Sequence, residues 1–120
     1  EEMLDLYNAT SSQDATMCLK QCYLNRAMAL LGCDRRKDAL SCFTSIYELL
    51  PRLADQYDAQ EYQNQCAQIL CFMGDLTPGA QGIRYLKEAR STMEKLCRKN
   101  PFNSEYKNAL ELILHALKRH

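Results

Sequence analysis

The sequence lacks most of the features that would assign it to an enzyme, membrane or nucleic-acid-binding class. Its 15 basic and 15 acidic residues cancel to a formal net charge of +0, so no overall charge favours nucleic acid or an anionic membrane. No apolar run approaches the length of a membrane span, and no signal-peptide pattern is present. The 4 glycines form no phosphate-binding loop, and no catalytic grouping is legible. We therefore expect a protein without enzymatic activity that binds neither nucleic acid nor membranes.

Metal ligands are also scarce. The 2 histidines, His115 and His120, lie near the C-terminal end of the sequence. Cys18 and Cys22 are spaced i, i+4 on a predicted helix and could supply half of a zinc site, but a complete site needs two more ligands. We expect these cysteines to pack as small apolar side chains, and we expect no metal and no cofactor.

Cysteine itself is abundant, with 7 in 120 residues. A secreted domain would pair them in disulfides, but the number is odd and the chain has no Gly-rich framework. All but Cys33 lie within helical patterns, which predicts reduced and mostly buried cysteines. This favours a cytoplasmic protein, with the nucleus as a second location. A secreted domain is the alternative, and Asn8-Ala9-Thr10 matches a glycosylation sequon, although such triplets also arise by chance.

Five segments follow the period of an α-helix, and none alternates like a strand. The first is expected to begin after Ser11 and Asp14, which have capping-box spacing, and to stop at Gly32. A further short helix through Leu4 and Tyr7 could precede it. The second is expected to begin at the N-cap Asp34.

The later helix ends are predicted from proline, glycine and asparagine. Pro51 follows the second helix, Gly74 ends the third, and Asn100-Pro101 ends the fourth. The fifth starts near Asn103. Residues 74–82 form the longest predicted loop. Because the connections are short, neighbouring helices should lie antiparallel, which predicts an all-α stack of helical hairpins.

The first hairpin has a regular alternation of large and small apolar residues. Two helices approach closely only where one carries a small side chain, and Ala27 and Ala39 are placed to serve as such crossing points. Large residues surround them at Tyr23, Leu30 and Phe43, and Pro51 closes the unit. This pattern resembles a tetratricopeptide repeat, a hairpin of about 34 residues that serves as a scaffold for binding other proteins.

A second copy of the pattern shows Ala67, Ala89, Met93 and Pro101. It carries about ten extra residues near its turn, and about six separate the two copies. The resemblance implies one domain over residues 1–120. It divides into the end of a truncated first repeat with a linker (1–16), a repeat (17–51), a repeat with a longer turn (56–101) and a capping helix (102–120). We therefore expect the chain to be part of a longer protein.

Two short runs are similar to FK506-binding immunophilin co-chaperones: the run from Cys22 to Ala27, and Asn100-Pro101-Phe102-Asn103 with the helix after it. That family binds the acidic tail of a heat-shock chaperone through Lys, Asn and Arg on its inner helices. Asn25 matches one such position. Glu61 and Gln65 stand where Lys and Arg are expected, and a carboxylate at Glu61 would repel an acidic tail.

The sequence therefore predicts a non-catalytic scaffold that binds a protein or peptide partner on its concave face, with a chaperone tail as one candidate. The third helix has a polar face of Glu61, Gln63, Asn64, Gln65 and Gln68, whose side chains could hydrogen-bond an extended peptide, although a plain solvated face is the alternative. The predicted contact residues are Asn25, Arg26, Glu61, Gln65 and Gln68. Self-association, as a homodimer or as an architectural module, is the second hypothesis, because zero net charge does little to prevent pairing.

One basic run, Arg35-Arg36-Lys37, opens the second helix. Cations at this position oppose the helix dipole, so the run is a minor candidate for a binding patch. Asp34 and Asp38 dilute its charge. We expect solvated surface here.

Overall fold

The computed structural model describes the backbone of residues 2–120 and the side chains of residues 15–120. Over this range the chain is all-α, as predicted, and no strand is present in the described residues. The elements are α1 (Glu2–Gly32), α2 (Arg36–Leu49), a 3₁₀ helix (Leu50–Gln56), α3 (Ala59–Leu76), α4 (Ala80–Lys99) and α5 (Ser104–Arg119). None of these helices has both the length and the apolar character needed to cross a membrane.

Each helix packs against the next one along the chain, and α3 also contacts α5. This sequential packing of hairpins is compatible with a helical-repeat arrangement. Both predicted crossing points are fully buried, since Ala27 and Ala39 have no exposed surface. The small side chains thus lie inside the α1–α2 hairpin, as their spacing predicts.

The core consists of two apolar clusters that meet along α3. The first joins α1, α2 and α3, and in it the rings of Phe43 and Phe72 stack in parallel with their centroids 4.6 Å apart. The second joins α3, α4 and α5 around Met93, Leu96 and Ile113. Because α3 contributes to both clusters, it is the helix that the two parts of the core share.

The first helix is longer than predicted. It runs without a break from Glu2 to Gly32, so the expected start after Ser11 and Asp14 is wrong. Residues 8–14 contain neither glycine nor proline, and a helix that meets no such residue propagates cooperatively through polar ones. The expected short helix is simply the first part of α1. The side chains of Leu4, Tyr7, Ser11 and Asp14 lie outside the described ones.

The turn between α1 and α2 also differs from the prediction. Helix α1 ends at Gly32 as expected, but the residue with left-handed backbone is Asp34, at φ 58°. Aspartate tolerates this conformation better than most residues. Asp34 therefore serves as the turn residue. The N-cap position, which was predicted at Asp34, is occupied by Arg35, and Arg35 makes no capping hydrogen bond.

The predicted end of the third helix at Gly74 is wrong. Helix α3 continues to Leu76 and α4 begins at Ala80, so the connection is only residues 77–79 instead of 74–82. The extra residues of the second hairpin thus lengthen its helices. Gly74 is buried inside α3, where an added Cβ would lie 2.8 Å from the Gly82 carbonyl oxygen. The glycine here permits close helix contact and does not end the helix.

The remaining helix ends agree with the sequence. Helix α2 ends just before Pro51, and the residues that separate the two hairpins form the 3₁₀ helix, with Leu50 and Leu53 fully buried. Helix α4 ends before Asn100-Pro101. Asn103 caps α5, since its Oδ1 accepts a 3.0 Å hydrogen bond from the Tyr106 backbone N–H.

Candidate peptide-binding groove

The predicted polar face of α3 exists and is hydrogen-bonded to itself. Glu61 precedes Asn64 and Gln65 by three and four residues, and these two precede Gln68 by four and three, so all four share one side of the helix. Glu61 Oε1 accepts from Gln65 Nε2 at 2.8 Å, and Gln68 Nε2 donates to Asn64 Oδ1 at 3.0 Å. We call these four residues the α3 ladder. Three of them are predicted contact residues.

Helix α1 is tied to this ladder through Lys20. Its Nζ donates to Gln65 Oε1 at 3.1 Å and to the Tyr57 hydroxyl at 2.9 Å. The Tyr57 hydroxyl in turn lies 3.7 Å from Met17 Sδ. Both polar ends of the Gln65 amide are therefore engaged within the protein, with Lys20 on one side and Glu61 on the other.

On the opposite side of the ladder, Asn64 joins α3 to α5. Its side chain is fully buried, and Nδ2 donates to Glu105 Oε1 at 3.4 Å and to Glu61 Oε1 at 3.5 Å. Two carboxylates thus converge on one amide. Neither forms an ion pair with a described side chain, so negative charge accumulates at this point.

The charge of these carboxylates affects the pKa of the nearby Tyr106 phenol. Its pKa is raised above the usual value, first because the side chain is buried and then because Glu61, Asp58 and Glu105 disfavour a phenolate. Asp58 is the N-cap of α3, and its Oδ1 accepts from the Glu61 backbone N–H at 2.7 Å. Three carboxylates therefore surround the N-terminal ends of α3 and α5.

A second bridge joins α3 and α5 further along. Arg119 Nη2 lies 2.8 Å from Asp75 Oδ1. Between this ion pair and the Asn64–Glu105 hydrogen bond the helices leave an open cavity of about 340 Å³. Its lining is mostly apolar side chains with a polar rim: Gln68, Cys71, Phe72, Asp75, Glu105, Asn108, Ala109, Leu112, Ile113, Ala116 and Arg119. We call this feature the α3–α5 groove.

The groove runs along α5 with an exposed apolar ridge. Its α5 side spans Glu105 to Arg119, which is 119 − 105 = 14 residue steps and roughly 21 Å at the rise of an α-helix. Since Asn64 pairs with Glu105 and Asp75 with Arg119, the two helices run in the same direction. Leu112 is 66% exposed at the middle of this length. An apolar side chain so exposed between two polar bridges is available for contact with another molecule.

No protein-family model, curated protein or solved structure matches this chain. Its function is therefore inferred from the geometry of the groove.

The predicted contact residues divide between two surfaces. Gln68 lines the α3–α5 groove, whereas Glu61 and Gln65 lie in the hydrogen-bond network that reaches α1. Asn25 and Arg26 are exposed on α1, where Asn25 Oδ1 accepts from Gln21 Nε2 at 3.1 Å. No contact within the described part of the chain joins either of them to the α3 ladder.

Sequence reasoning missed the contribution of α5. That helix was expected only to cap the stack, yet it supplies most of the groove wall. Its apolar positions include the adjacent residues Leu112 and Ile113. Of these two, Ile113 is buried and Leu112 is exposed. A cap needs one apolar stripe, so the adjacent second stripe is the signal that could have indicated a binding face.

The cysteines are less buried than predicted. Only Cys42 is buried, while Cys18, Cys22 and Cys33 are exposed and the other three are intermediate. The expectation of mostly buried cysteines is therefore wrong, because Cys18 and Cys22 lie on an exposed part of α1 and Cys33 lies in the exposed turn after it. All seven are free thiols. No cluster of three metal-binding side chains occurs among the residues the structure describes.

Cys71 is the one thiol in the groove wall. Its pKa is raised to about 11, mainly because burial disfavours the thiolate and further because Asp75 is near, while Arg119 acts in the opposite direction. A thiol with this pKa stays protonated at neutral pH and is a poor nucleophile. Cys71 therefore contributes apolar surface to the groove.

The basic run that opens α2 has a structural role. Arg36 Nη2 donates to the Asp75 backbone oxygen at 3.3 Å, and His120 Nε2 lies 2.9 Å from the Gly74 oxygen. Both carbonyls are in the last turn of α3, where side-chain donors can bond the free carbonyls and the Arg36 cation interacts favourably with the helix dipole. With Lys37 and Arg119 these residues also line a cavity of about 650 Å³. The contacts of Arg36, Arg119 and His120 with the end of α3 account for these three side chains without a ligand.

Proposed function

We propose that this protein is a non-catalytic scaffold that binds a segment of a partner protein in the α3–α5 groove. The observation that carries the proposal is the exposed apolar wall around Leu112, set between two polar bridges about four helical turns apart. Peptide-binding grooves combine such an apolar floor with a polar rim. The resemblance to tetratricopeptide repeats supports the same kind of function.

The groove has the surface of a binding site without the groups of a catalytic one. Its thiol, Cys71, has a pKa of about 11. Of its two carboxylates, Asp75 is held in an ion pair with Arg119, and Glu105 accepts a hydrogen bond from Asn64 Nδ2. A protonated thiol and a carboxylate already in an ion pair are poorly suited to nucleophilic or acid–base chemistry near neutral pH. This supports a role in binding alone.

An acidic chaperone tail fits this groove poorly. Glu105 lines it, and Glu61 lies beside Glu105 without a cation bound to either carboxylate among the described side chains. Repulsion between these groups and an anionic peptide disfavours the complex. Asn25, the position that matches the co-chaperone pattern, lies on α1 and does not line this groove. A calorimetric titration with an acidic tail peptide, beside Asn25→Ala, tests this partner directly.

The proposal is tested by selecting peptides from a displayed random library against the wild-type protein. Leu112→Glu should abolish binding of the selected peptides, because it places a charge in the apolar wall. Leu114→Glu is the matched control, since Leu114 is also on α5 and 39% exposed but does not line the groove. Circular dichroism of both variants verifies folding.

A failure to enrich any peptide, or equal binding to wild type and Leu112→Glu, contradicts the proposal. Self-association is the alternative function, favoured by the exposure of Phe102 at 96% and of Leu112. Sedimentation velocity of the wild type and Leu112→Glu distinguishes the two. A dimer that Leu112→Glu dissociates would make a second copy of this chain the occupant.

A further inference from the structure

We infer that the occupant of the groove is an amphipathic helix with a lysine or arginine at the end that lies next to Glu105. This inference rests on the proposed function and specifies the chemistry of the partner. It follows from the hydrogen-bonding capacity, the shape and the charge of the groove wall.

Hydrogen-bonding capacity favours a helix over an extended segment. An extended backbone needs partners for its N–H and C=O groups, but the wall between the two bridges is apolar around Phe72, Leu112 and Ile113. The amides of the α3 ladder are already engaged within the protein: Gln65 bonds to Lys20 and Glu61, Asn64 to Glu61 and Glu105, and Gln68 Nε2 to Asn64. A helix satisfies its own backbone and can lie on such a surface.

The shape of the wall suits the side chains of a helix. Ala109 and Ala116 are both buried, one turn before and one turn after the Leu112–Ile113 step. The wall therefore has a ridge at Leu112 with a depression on either side. Large side chains spaced by seven residues, about two helical turns, can enter the two depressions and straddle the ridge. The roughly 21 Å length of the wall accommodates about fourteen residues of a helix.

Charge determines what the partner carries at one end. Glu61 and Glu105 share the Asn64 amide and have no cation bound to them among the described side chains. The ammonium of Lys20 is bonded to Gln65 and Tyr57 instead. At the other end Asp75 is neutralised by Arg119. A cation on the partner would thus be attracted to the Glu105 end alone, which also fixes the direction of the bound helix.

The experiment uses designed peptides of about sixteen residues and fluorescence anisotropy with the whole chain. The parent peptide has leucines on one face and two lysines at one end. Matched controls replace the lysines with glutamates, scramble the parent sequence so that the leucines cover all faces, or place a proline at its centre. We expect the parent peptide to bind at least about tenfold more tightly than each control, since one close charge pair or one broken helix is worth that much.

The protein variants test the direction of the charge effect. Glu105→Lys should weaken binding of the lysine peptide at least about tenfold and strengthen binding of the glutamate peptide. Glu111→Lys is the matched control because Glu111 is exposed on α5 outside the groove wall. This control should change the affinity of neither peptide by more than about twofold, because solvent and salt screen an exposed charge outside the groove.

The outcomes separate this inference from the proposed function. Equal binding of the lysine and glutamate peptides, or no effect of Glu105→Lys, overturns the charge assignment. Tight binding of the proline peptide overturns the inference that the occupant binds as a helix. In either case the proposed function would still be supported if the binding of library peptides is lost in Leu112→Glu. If neither designed nor library peptides bind through Leu112, the proposed function itself fails.

Discussion

At the scale of the residue, the Asn64 side chain links α3 to the Glu105 end of the groove. It is the one fully buried polar side chain among those described, and all of its bonds go to Glu61, Glu105 and Gln68. A buried amide is tolerated only when its hydrogen bonds are formed. Asn64 therefore fixes the position of the Glu105 carboxylate and with it the charged end of the groove.

Cys71 offers a chemical test of the groove at the same scale. With a pKa of about 11, only about one Cys71 side chain in a thousand is a thiolate at about pH 8. Iodoacetamide should therefore modify the exposed Cys18, Cys22 and Cys33 first and Cys71 slowly, at a rate that rises up to about pH 11. Peptide mapping by mass spectrometry measures each rate, and modification of Cys71 as fast as Cys18 would contradict the assignment.

At the scale of the element, the α3–α4 hairpin depends on two glycines inside its helices. A Cβ at Gly82 would collide with the Thr77 carbonyl oxygen and lie 2.7 Å from the Gly74 oxygen. A Cβ at Gly74 would lie 2.6 Å from Leu86 Cγ. Glycine normally weakens a helix, and here that cost is offset by close packing. Residue identity alone does not reveal which effect dominates.

Alanine substitution tests this contrast. Gly82→Ala should lower the free energy of unfolding by about 3 kcal/mol or more, because backbone atoms must move to admit the methyl group. Gly32→Ala is the control, since nothing lies within 4 Å of its added Cβ. It should stabilise by about 0.5 kcal/mol. Urea unfolding followed by circular dichroism measures both, and a neutral Gly82→Ala would refute the packing role.

At the scale of the whole molecule, titrating groups in both core clusters respond to pH in the same direction. Burial raises the pKa values of the thiols Cys66 and Cys71 and of three phenols, Tyr47, Tyr62 and Tyr106. The unfolded chain therefore loses these protons at lower pH than the folded protein does. The stability they contribute is complete below the unfolded values, which are 9.0 for the thiols and 10.0 for the phenols, and it is lost as pH rises through the folded values.

We accordingly expect the urea midpoint to fall steadily between about pH 9 and pH 11. Cys71→Ala removes the thiol whose pKa reaches about 11, so this variant should lose less stability over the same interval. The quantity to compare is the slope of the urea midpoint against pH in each protein, because the substitution also changes packing. A midpoint that is constant or rises over this interval would show that burial does not raise these pKa values.

The helices and most of their ends were predictable because they depend on local chemistry. Pro51, Asn100-Pro101 and Asn103 act on the backbone within one turn, and the structure confirms the helix ends assigned to them. The buried alanines were predictable from spacing alone, since Ala27 and Ala39 repeat a pattern that needs small residues. The start of α1 was missed because a capping box favours a helix start without requiring one.

Only the tertiary structure decided where the groove lies and which charges surround it. The two bridges that bound the groove join residues 41 and 44 positions apart, Asn64 with Glu105 and Asp75 with Arg119. No local pattern links such positions, because their distance depends on how three helices pack. The sequence by itself determined an all-α chain with a polar face on α3. Helix packing decided that this face bonds to itself and that the open apolar wall lies beside it on α5.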